Sequence, residues 1–442
     1  MTWTAAQAEE HLLGLELFGM RFGLERMRRL LTALGSPQER FSAVHVVGTN
    51  GKSSTVRMTA ALLEAHGVRA GAFLSPHLTT FAERIRIGDA DLEPDAFGAA
   101  VQRAAAAAAK VDRTLEGGER VTQFELITAA AFDELARRGV EVAVVEAGLG
   151  GRHDATGVLR APVVVLTNVG LEHTRWLGPT VVHIAREKLA VVRPGATLVL
   201  GDVDDDVLAL ARATGAELVR PQPVDVDLRG FQRTNAEGTL VRDEPDRVHL
   251  PGFEHTNFEG KFVRDEPGVH LPGFQRTNFA VACAAARAVL GRVDDDTVAA
   301  VARRVQIPGR MQTIADRPLT ILDGAHNASG VAALVAALPE RPFTAVVSIL
   351  DDKDAGAMLA ALRGRCERFV CTAAPTPRAL PAATLASLVA QLGGEAEVVP
   401  VPRAALGRAR EIAGPEGAVI ATGSIYLVAD LVSHGRRKAS AL

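Results

Sequence analysis

The sequence predicts an α/β protein of two domains, each built on a mostly parallel sheet, and three observations carry that expectation. Apolar, β-branched runs alternate with helix-period segments along most of the 442 residues, the pattern of strands covered on both faces by crossover helices. Residues 41–63 read as strand, glycine-rich turn and helix. A Pro and Gly interruption at Gln306-Ile-Pro-Gly309 separates two such alternating runs and places a domain boundary there.

Taken in order, the first run opens with a strand at 43–47 and a helix at 56–66. A strand at 70–74 and an alanine-rich helix with a weak apolar stripe at 97–111 follow. A helix at 124–138 leads to a strand at 140–146, a strand at 162–167 to a helix at 180–192, and a strand at 196–200 comes next. Residues 295–305 read as helix up to the boundary. Beyond it, strands at 319–322, 343–349, 368–372, 396–399 and 417–421 alternate with helices at 330–338, 355–363, 382–392 and 403–413. Ligands are expected at the carboxyl ends of the strands and in the cleft between the domains.

One stretch breaks the pattern. Gly230-Phe-Gln-Arg-Thr-Asn235 recurs as Gly252-Phe-Glu-His-Thr-Asn257 and as Gly273-Phe-Gln-Arg-Thr-Asn278, and Val241-Arg-Asp-Glu-Pro245 recurs as Val263-Arg-Asp-Glu-Pro267. Two short units are too few for a solenoid. The alternating segments Thr239-Leu-Val-Arg and Lys261-Phe-Val-Arg predict hairpins added to a sheet edge. Only the third copy runs into a helical pattern, so it reads as the working unit and the region of about 230–272 as surface insert.

Composition narrows the class. A net charge of −3 gives no basic field for nucleic acid or an anionic membrane. Cys283, Cys366 and Cys371 are odd in number and complete no zinc pattern, so buried free thiols and a reducing compartment are expected. The polar, acidic N-terminus is no signal peptide, and no apolar run approaches a membrane span. A cytoplasmic location and a monomer are the expectations.

Chemistry enters at Gly48-Thr-Asn-Gly-Lys-Ser-Ser-Thr55. Such a loop aims backbone N–H groups and a helix N-terminus at one spot, which suits a polyphosphate. Lys52 is placed to reach terminal phosphates, and a hydroxyl from Ser53 or Ser54 to meet the magnesium that accompanies ATP. Only Thr49 and Asn50 separate Gly48 from Gly51, where the generic phosphate loop has four residues. A merely tight strand-to-helix turn is the competing reading.

Other candidates stand at strand ends. Glu146 precedes the glycine turn Ala147-Gly-Leu-Gly-Gly151, where a magnesium ligand belongs and where a solvated charge is equally at home. His173 follows the strand at 162–167, and a loop histidine by itself is ordinary surface. Lys188 is followed by Leu-Ala-Val-Val; a half-buried lysine near metals must be paired or neutralised, for instance by carbamylation. In the second half Asp323, His326 and Asn327 follow a strand, and Arg310 lies at the hinge, where a guanidinium suits phosphate.

Together with Phe22-Gly-Leu-Glu-Arg-Met27, Ser75-Pro-His-Leu78, Thr122-Gln-Phe-Glu125, Glu146 to Thr156, Asn168 to Thr174, Ala185-Arg-Glu-Lys188, Pro308-Gly-Arg310 and Thr422-Gly-Ser-Ile-Tyr426, these motifs cover almost the whole chain. In this order they resemble the folylpolyglutamate synthase/dihydrofolate synthase branch of the Mur ligase superfamily. The resemblance implies a P-loop-type ATPase domain over 1–305 carrying the insert, then a smaller Rossmann-like glutamate ligase domain over 309–442. It implies that Thr49, Asn50, Gly51, Lys52, Ser53 and Ser54 hold ATP phosphates, and that Ser75 and Glu146 ligate one Mg2+. His173 with carbamylated Lys188 would hold a second. Asn278 and Asp323 would contact the nucleotide, and Arg310 and His326 the transferring phosphate. Thr122, Phe124, Glu125, His153, Asp154 and Ala155 match segments that line the pocket for dihydropteroate or reduced folate.

The implied reaction joins a pteroate or folate carboxylate to L-glutamate through an acyl phosphate. A peptidoglycan ligase of the same superfamily is the alternative, but the 47 residues before Gly48 are too few for its UDP-sugar domain. A nucleotide-binding module without catalysis is the other, disfavoured by Lys52, Glu146, His173, Lys188 and Asp323 occurring together.

Overall fold

In the computed structural model the strand expected at 43–47 is β1 (Ser42–Val47), and every residue after Ser42 is buried. The structure describes residues 2–15, 23–221, 271 and 273–433, with four two-residue strands between 226 and 248. The chain divides into two units, residues 1–75, 84–271 and 275–305 in one, and 76–83, 272–274 and 306–442 in the other.

The first unit is an eight-stranded sheet. Its strands are β1, β2 (Ala70–Phe73), β3 (Ile85–Ile87), β4 (Ala90–Asp91), β5 (Val142–Glu146), β6 (Val163–Asn168), β7 (Thr197–Asp202) and β8 (Glu217–Val219), in the order β4-β3-β2-β5-β1-β6-β7-β8. From β2 to β8 all neighbours run parallel. The antiparallel hairpin β3–β4 on one edge was not expected from the sequence. Val44, Val46, Val144, Val145, Val164 and Val165 are buried in consecutive parallel strands, as two-sided burial requires. Because β5, β1 and β6 are neighbours, their carboxyl ends present Glu146, the loop after Val47 and Asn168 side by side.

Within the duplicated region β9 (Val226–Asp227) pairs with β12 (Arg247–Val248), and β10 (Arg233–Thr234) with β11 (Leu240–Val241), both antiparallel. Hairpin pairing is therefore present, but these pairs form sheets of their own rather than extending the large one. The segment Lys261-Phe-Val-Arg lies outside the described residues.

The second unit is a six-stranded sheet of β13 (Gln312–Asp316), β14 (Leu319–Leu322), β15 (Phe343–Val347), β16 (Cys366–Cys371), β17 (Glu395–Val398) and β18 (Ala418–Thr422), ordered β13-β14-β18-β15-β16-β17. Only β13 is antiparallel, and it was not foreseen. The helices Ala328–Ala337, Ala355–Leu362 and Ala382–Gln391 pack on one face through Val331, Met358, Leu359 and Leu385. Pro402–Ala413 and Ile425–Val432 cover the other through Ala405, Ala409, Leu427 and Val428. Because β18 lies between β14 and β15, the chain reverses its direction of winding there, which puts a crevice at those carboxyl ends. Cys283, Cys366 and Cys371 are free and buried.

Candidate active site

Backbone geometry explains the glycines of the loop after β1. Gly51 has φ +81°, and a Cβ there would lie 2.3 Å from Asn278 Oδ1. A Cβ on Gly48, φ +152°, would lie 1.8 Å from Thr167 Oγ1. Only glycine fits both positions. Gly51 then caps the helix Lys52–Ala65, whose first N–H groups open toward the loop.

The loop is held from β6. Asn50 N donates to Asn168 Oδ1 at 2.9 Å, Thr167 Oγ1 to Asn50 O at 2.7 Å, and Gly170 N to Thr49 Oγ1 at 3.0 Å. Lys52 Nζ donates to Thr49 O at 3.1 Å. Ser54 Oγ accepts from Gln275 Nε2 at 3.1 Å, and Gln275 Oε1 from Asn278 Nδ2 at 3.0 Å. The sequence named Asn278 here but assigned no role to Asn168, Thr167 or Gln275.

Glu146 is 1% exposed at the end of β5. One oxygen accepts from Ser53 Oγ at 2.9 Å and the other from Ser75 N at 3.1 Å. Ser53, Ser75 and Glu146 are thus brought together: the Ser53 hydroxyl and the Ser75 backbone N–H both meet the carboxylate, whose oxygens are hard donors. Among the described residues no three His, Cys, Asp or Glu side chains form a metal cage. That donor set fits Mg2+, which is commonly held by one or two carboxylates plus substrate phosphates and water rather than by an all-protein cage.

Lys188 is 4% exposed, and its Nζ donates to Gly48 O at 2.6 Å. Burial first, then repulsion from Lys52, lowers its pKa to about 7, against attraction from Glu172 and Asp154. His173 adopts φ +51° as it caps Thr174–Leu177, and its Nε2 lies 3.8 Å from Glu172 Oε1.

The substrate-pocket residues divide. Thr122 and Glu125 form the capping box of the helix Gln123–Arg137, and Arg26 binds Glu125 through both Nε and NH2 at 3.2 Å. Their polar atoms are engaged in holding the helix start. Phe124 packs against Phe73, with ring centroids 6.0 Å apart. Asp154 and Ala155 are buried, whereas His153 is exposed. Asp154 Oδ2 accepts from Leu149 N at 2.7 Å, and Oδ1 from Thr156 N at 3.0 Å. Burial pushes the Asp154 pKa up, opposed by these donors.

In the second unit Asp323 follows β14 and is 2% exposed. Its oxygens accept from Met311 N at 2.9 Å and Ala325 N at 2.8 Å. Burial raises its pKa, opposed first by Arg310. The Arg310 guanidinium lies over Gly324, where a Cβ would be 3.1 Å from NH1. His326 Nδ1 is 2.9 Å from Gly324 O, so Nδ1 carries the proton. Asn327 caps Ala328–Ala337, accepting from Gly330 N at 2.8 Å. Arg310, Asp323 and His326 therefore converge on one loop.

Two family models match: the Mur ligase middle domain over residues 46–220 and the Mur ligase glutamate ligase domain over 309–425. The dihydrofolate synthase/folylpolyglutamate synthase of Mycobacterium tuberculosis is 32% identical over 85% of this chain and 80% of its own length. The chain belongs to the folylpolyglutamate synthase/dihydrofolate synthase family. It is an enzyme of the ATP-dependent ligase class, with the α/β architecture the sequence predicts. A probable bifunctional folylpolyglutamate synthase/dihydropteroate synthase of Haloferax volcanii is 34% identical over 96% of this chain, which spans half of that relative's length. The solved M. tuberculosis folylpolyglutamate synthase complexed with ADP and AMPPCP has a TM-score of 0.83 at 30% identity, covering 99% of both chains. A Yersinia pestis bifunctional enzyme with Mn, AMPPNP and L-glutamate bound has a TM-score of 0.77 at 28% identity, covering 97% of each. Among the described residues, no helix is long and apolar enough to cross a membrane.

Proposed function

We propose that this chain joins L-glutamate to the carboxylate of dihydropteroate, a reduced folate, or both, with ATP as the driving reactant. The observation that carries this reading is the convergence on the loop after β1. Glu146 holds Ser53 and Ser75, and Lys188 holds Gly48, at the ends of adjacent parallel strands. In the proposed reaction an acceptor carboxylate oxygen attacks the γ-phosphorus and ADP leaves. The glutamate amine, having lost a proton, then attacks the acyl carbon and phosphate leaves.

Residues 49–54 bind the polyphosphate through backbone N–H groups and the helix N-terminus. Ser75 and Glu146 would hold one Mg2+, and His173 with carbamylated Lys188 a second; bound there, the ions offset charge on the phosphate oxygens. The neutral amine is the form that reacts with CO2, and the lowered Lys188 pKa, about 7, makes a far larger share of it available near neutral pH than an ordinary lysine has. Arg310 and His326 are assigned to the transferring phosphate, Asn278 and Asp323 to the nucleotide, and Phe124, Asp154 and Ala155 to the pterin. Residues 1–305 serve as the ATP-binding domain and 309–442 as the glutamate ligase domain of a cytoplasmic monomer.

The test is phosphate release from ATP with L-glutamate, comparing 7,8-dihydropteroate and tetrahydrofolate as acceptors. Release with the first makes the chain a dihydrofolate synthase, bifunctional if the second also works. Release with tetrahydrofolate alone makes it a dedicated polyglutamylase. No release with any pteroate acceptor overturns the reading.

A further inference from the structure

We propose that His45 is a positioning residue for the acceptor pocket, holding the Asp154 carboxylate through the hydroxyl of Thr156; this rests on the assignment of Asp154 to the pterin above. His45 lies inside β1 and is 1% exposed. Its Nε2 is 2.8 Å from Thr156 Oγ1, which in turn hydrogen-bonds Asp154 Oδ1.

The chain has a direction. Thr156 N and Leu149 N both point at the carboxylate, and amides only donate, so each oxygen of Asp154 is an acceptor. With the carboxylate ionised, the Thr156 hydroxyl gives its single proton to Oδ1. Its lone pair then takes a proton from His45, which fixes the Nε2–H tautomer. Burial lowers the His45 pKa to about 4, so at neutral pH the ring is uncharged. It therefore supplies a hydrogen bond without a cation that would cancel the negative charge.

That charge faces an aromatic wall. A Cβ on Gly148 would lie 2.6 Å from Phe124 Cζ and 3.1 Å from Asp154 Oδ2, so the glycine lets ring and carboxylate approach each other. A desolvated carboxylate beside an aromatic ring suits a flat heterocycle whose ring amide and exocyclic amine donate together. Capping of the short helix Ala155–Val158 uses only Thr156 N. A histidine buried in a strand between Val44 and Val46 is costly unless its hydrogen bond is made, and Thr156 is where it is made.

Two pairs of variants test this. Thr156→Val and His45→Met remove the relay; Thr156→Ser and His45→Gln keep a hydroxyl and a side-chain N–H. The first pair should raise KM for the pteroate acceptor that the wild type uses, 7,8-dihydropteroate or tetrahydrofolate, about tenfold, the scale of a hydrogen bond to a charged group. KM for ATP and L-glutamate should not move, and the second pair should recover most of the loss. The double variant His45→Met/Thr156→Val should be no worse than Thr156→Val, because both cut one chain. A wild-type acceptor KM in Thr156→Val, or equal rises in all three KM values, overturns the relay. If His45→Met does not fold, His45→Leu takes its place, because Thr156→Val removes the bond to Asp154 directly and does not by itself test His45. Asp154→Asn separates the levels: an unchanged acceptor KM refutes the pocket assignment itself, whereas a raised one with silent relay variants refutes only the role of His45.

Discussion

Lys188 Nζ lies 2.6 Å from the carbonyl oxygen of Gly48, the residue that opens the phosphate loop. A helix 140 residues downstream thus reaches the first turn of the nucleotide site. The contact ties the chemistry of an amine to the geometry of a loop.

Replacing Lys188 should abolish turnover and leave the fold intact. The stability consequence depends on pH, and its sign follows from the lowered pKa. Unfolded, the lysine keeps its proton up to about 10.5, and folded only to about 7. Between those values the unfolded chain binds more protons, so folding stability rises with pH across the window. Below about 7 both states are protonated and the buried charge costs its full amount. Lys188→Met should therefore stabilise the protein most below pH 7, with the gain shrinking toward pH 10. Denaturant midpoints at pH 6.5 and 9.5 in CO2-free buffer, where the amine stays uncarbamylated, measure this. Equal differences between variant and wild type at both values would refute the shift, and a fully active Lys188→Ala would remove the proposed metal role.

Glu146→Gln isolates charge from shape. A glutamine carbonyl still accepts from Ser75 N, and its amide donates to a Ser53 hydroxyl turned to accept, so both contacts survive. What disappears is the negative charge, worth roughly 2 kcal/mol in an interaction with a charged partner. The Mg2+ concentration for half-saturation of ADP binding, read by calorimetry, should rise about thirtyfold. Unchanged Mg2+ dependence would exclude Glu146 as a ligand.

Gly51→Ala should be harmful twice over. An alanine at φ +81° pays the left-handed penalty of about 1–2 kcal/mol. Its methyl would also fall 2.3 Å from Asn278 Oδ1, so Asn278 must move away. Thermal unfolding should shift down, and ATP affinity should fall further than that shift explains. A variant with normal ATP binding would show that Asn278 can leave without consequence.

Much of this was readable in the sequence because it is local. The loop at 48–55, Glu146 at a strand end and the alternation of the second half, where strand 319–322 is found where expected, need only neighbours along the chain. The contacts that organise the site are not local. Arg26 meets Glu125 across 99 residues and His45 meets Thr156 across 111. No spacing in sequence predicts which side chains adjacent strands and loops bring face to face. Thr122 and Glu125, which the resemblance assigns to the substrate pocket, also carry a local signal that went unnamed. Their spacing is that of a capping box, and that is how the structure uses their polar atoms. The edge strands β3, β4 and β13 escaped notice because short antiparallel additions lack the unbroken apolar run of a central parallel strand.

Gly324→Ala offers a way to disturb Arg310 without removing it. The added methyl would lie 3.1 Å from NH1 of Arg310 and 2.6 Å from Cδ1 of Ile425. Gly324 has no left-handed φ, so the backbone accepts alanine, and the end of the isoleucine can turn aside for about 1 kcal/mol. Arg310 is also held electrostatically by the buried Asp323. The guanidinium therefore shifts by a few tenths of an ångström rather than leaving. If Arg310 acts on the transferring phosphate, that displacement weakens the transition state more than the bound substrates, and kcat should fall about tenfold. KM for ATP should stay within about twofold, because uniform binding is little changed. Arg310→Ala provides the ceiling for the effect. A Gly324→Ala enzyme with normal kcat beside an inactive Arg310→Ala would mean that the guanidinium tolerates the shift. Normal kcat in both would remove Arg310 from the reaction.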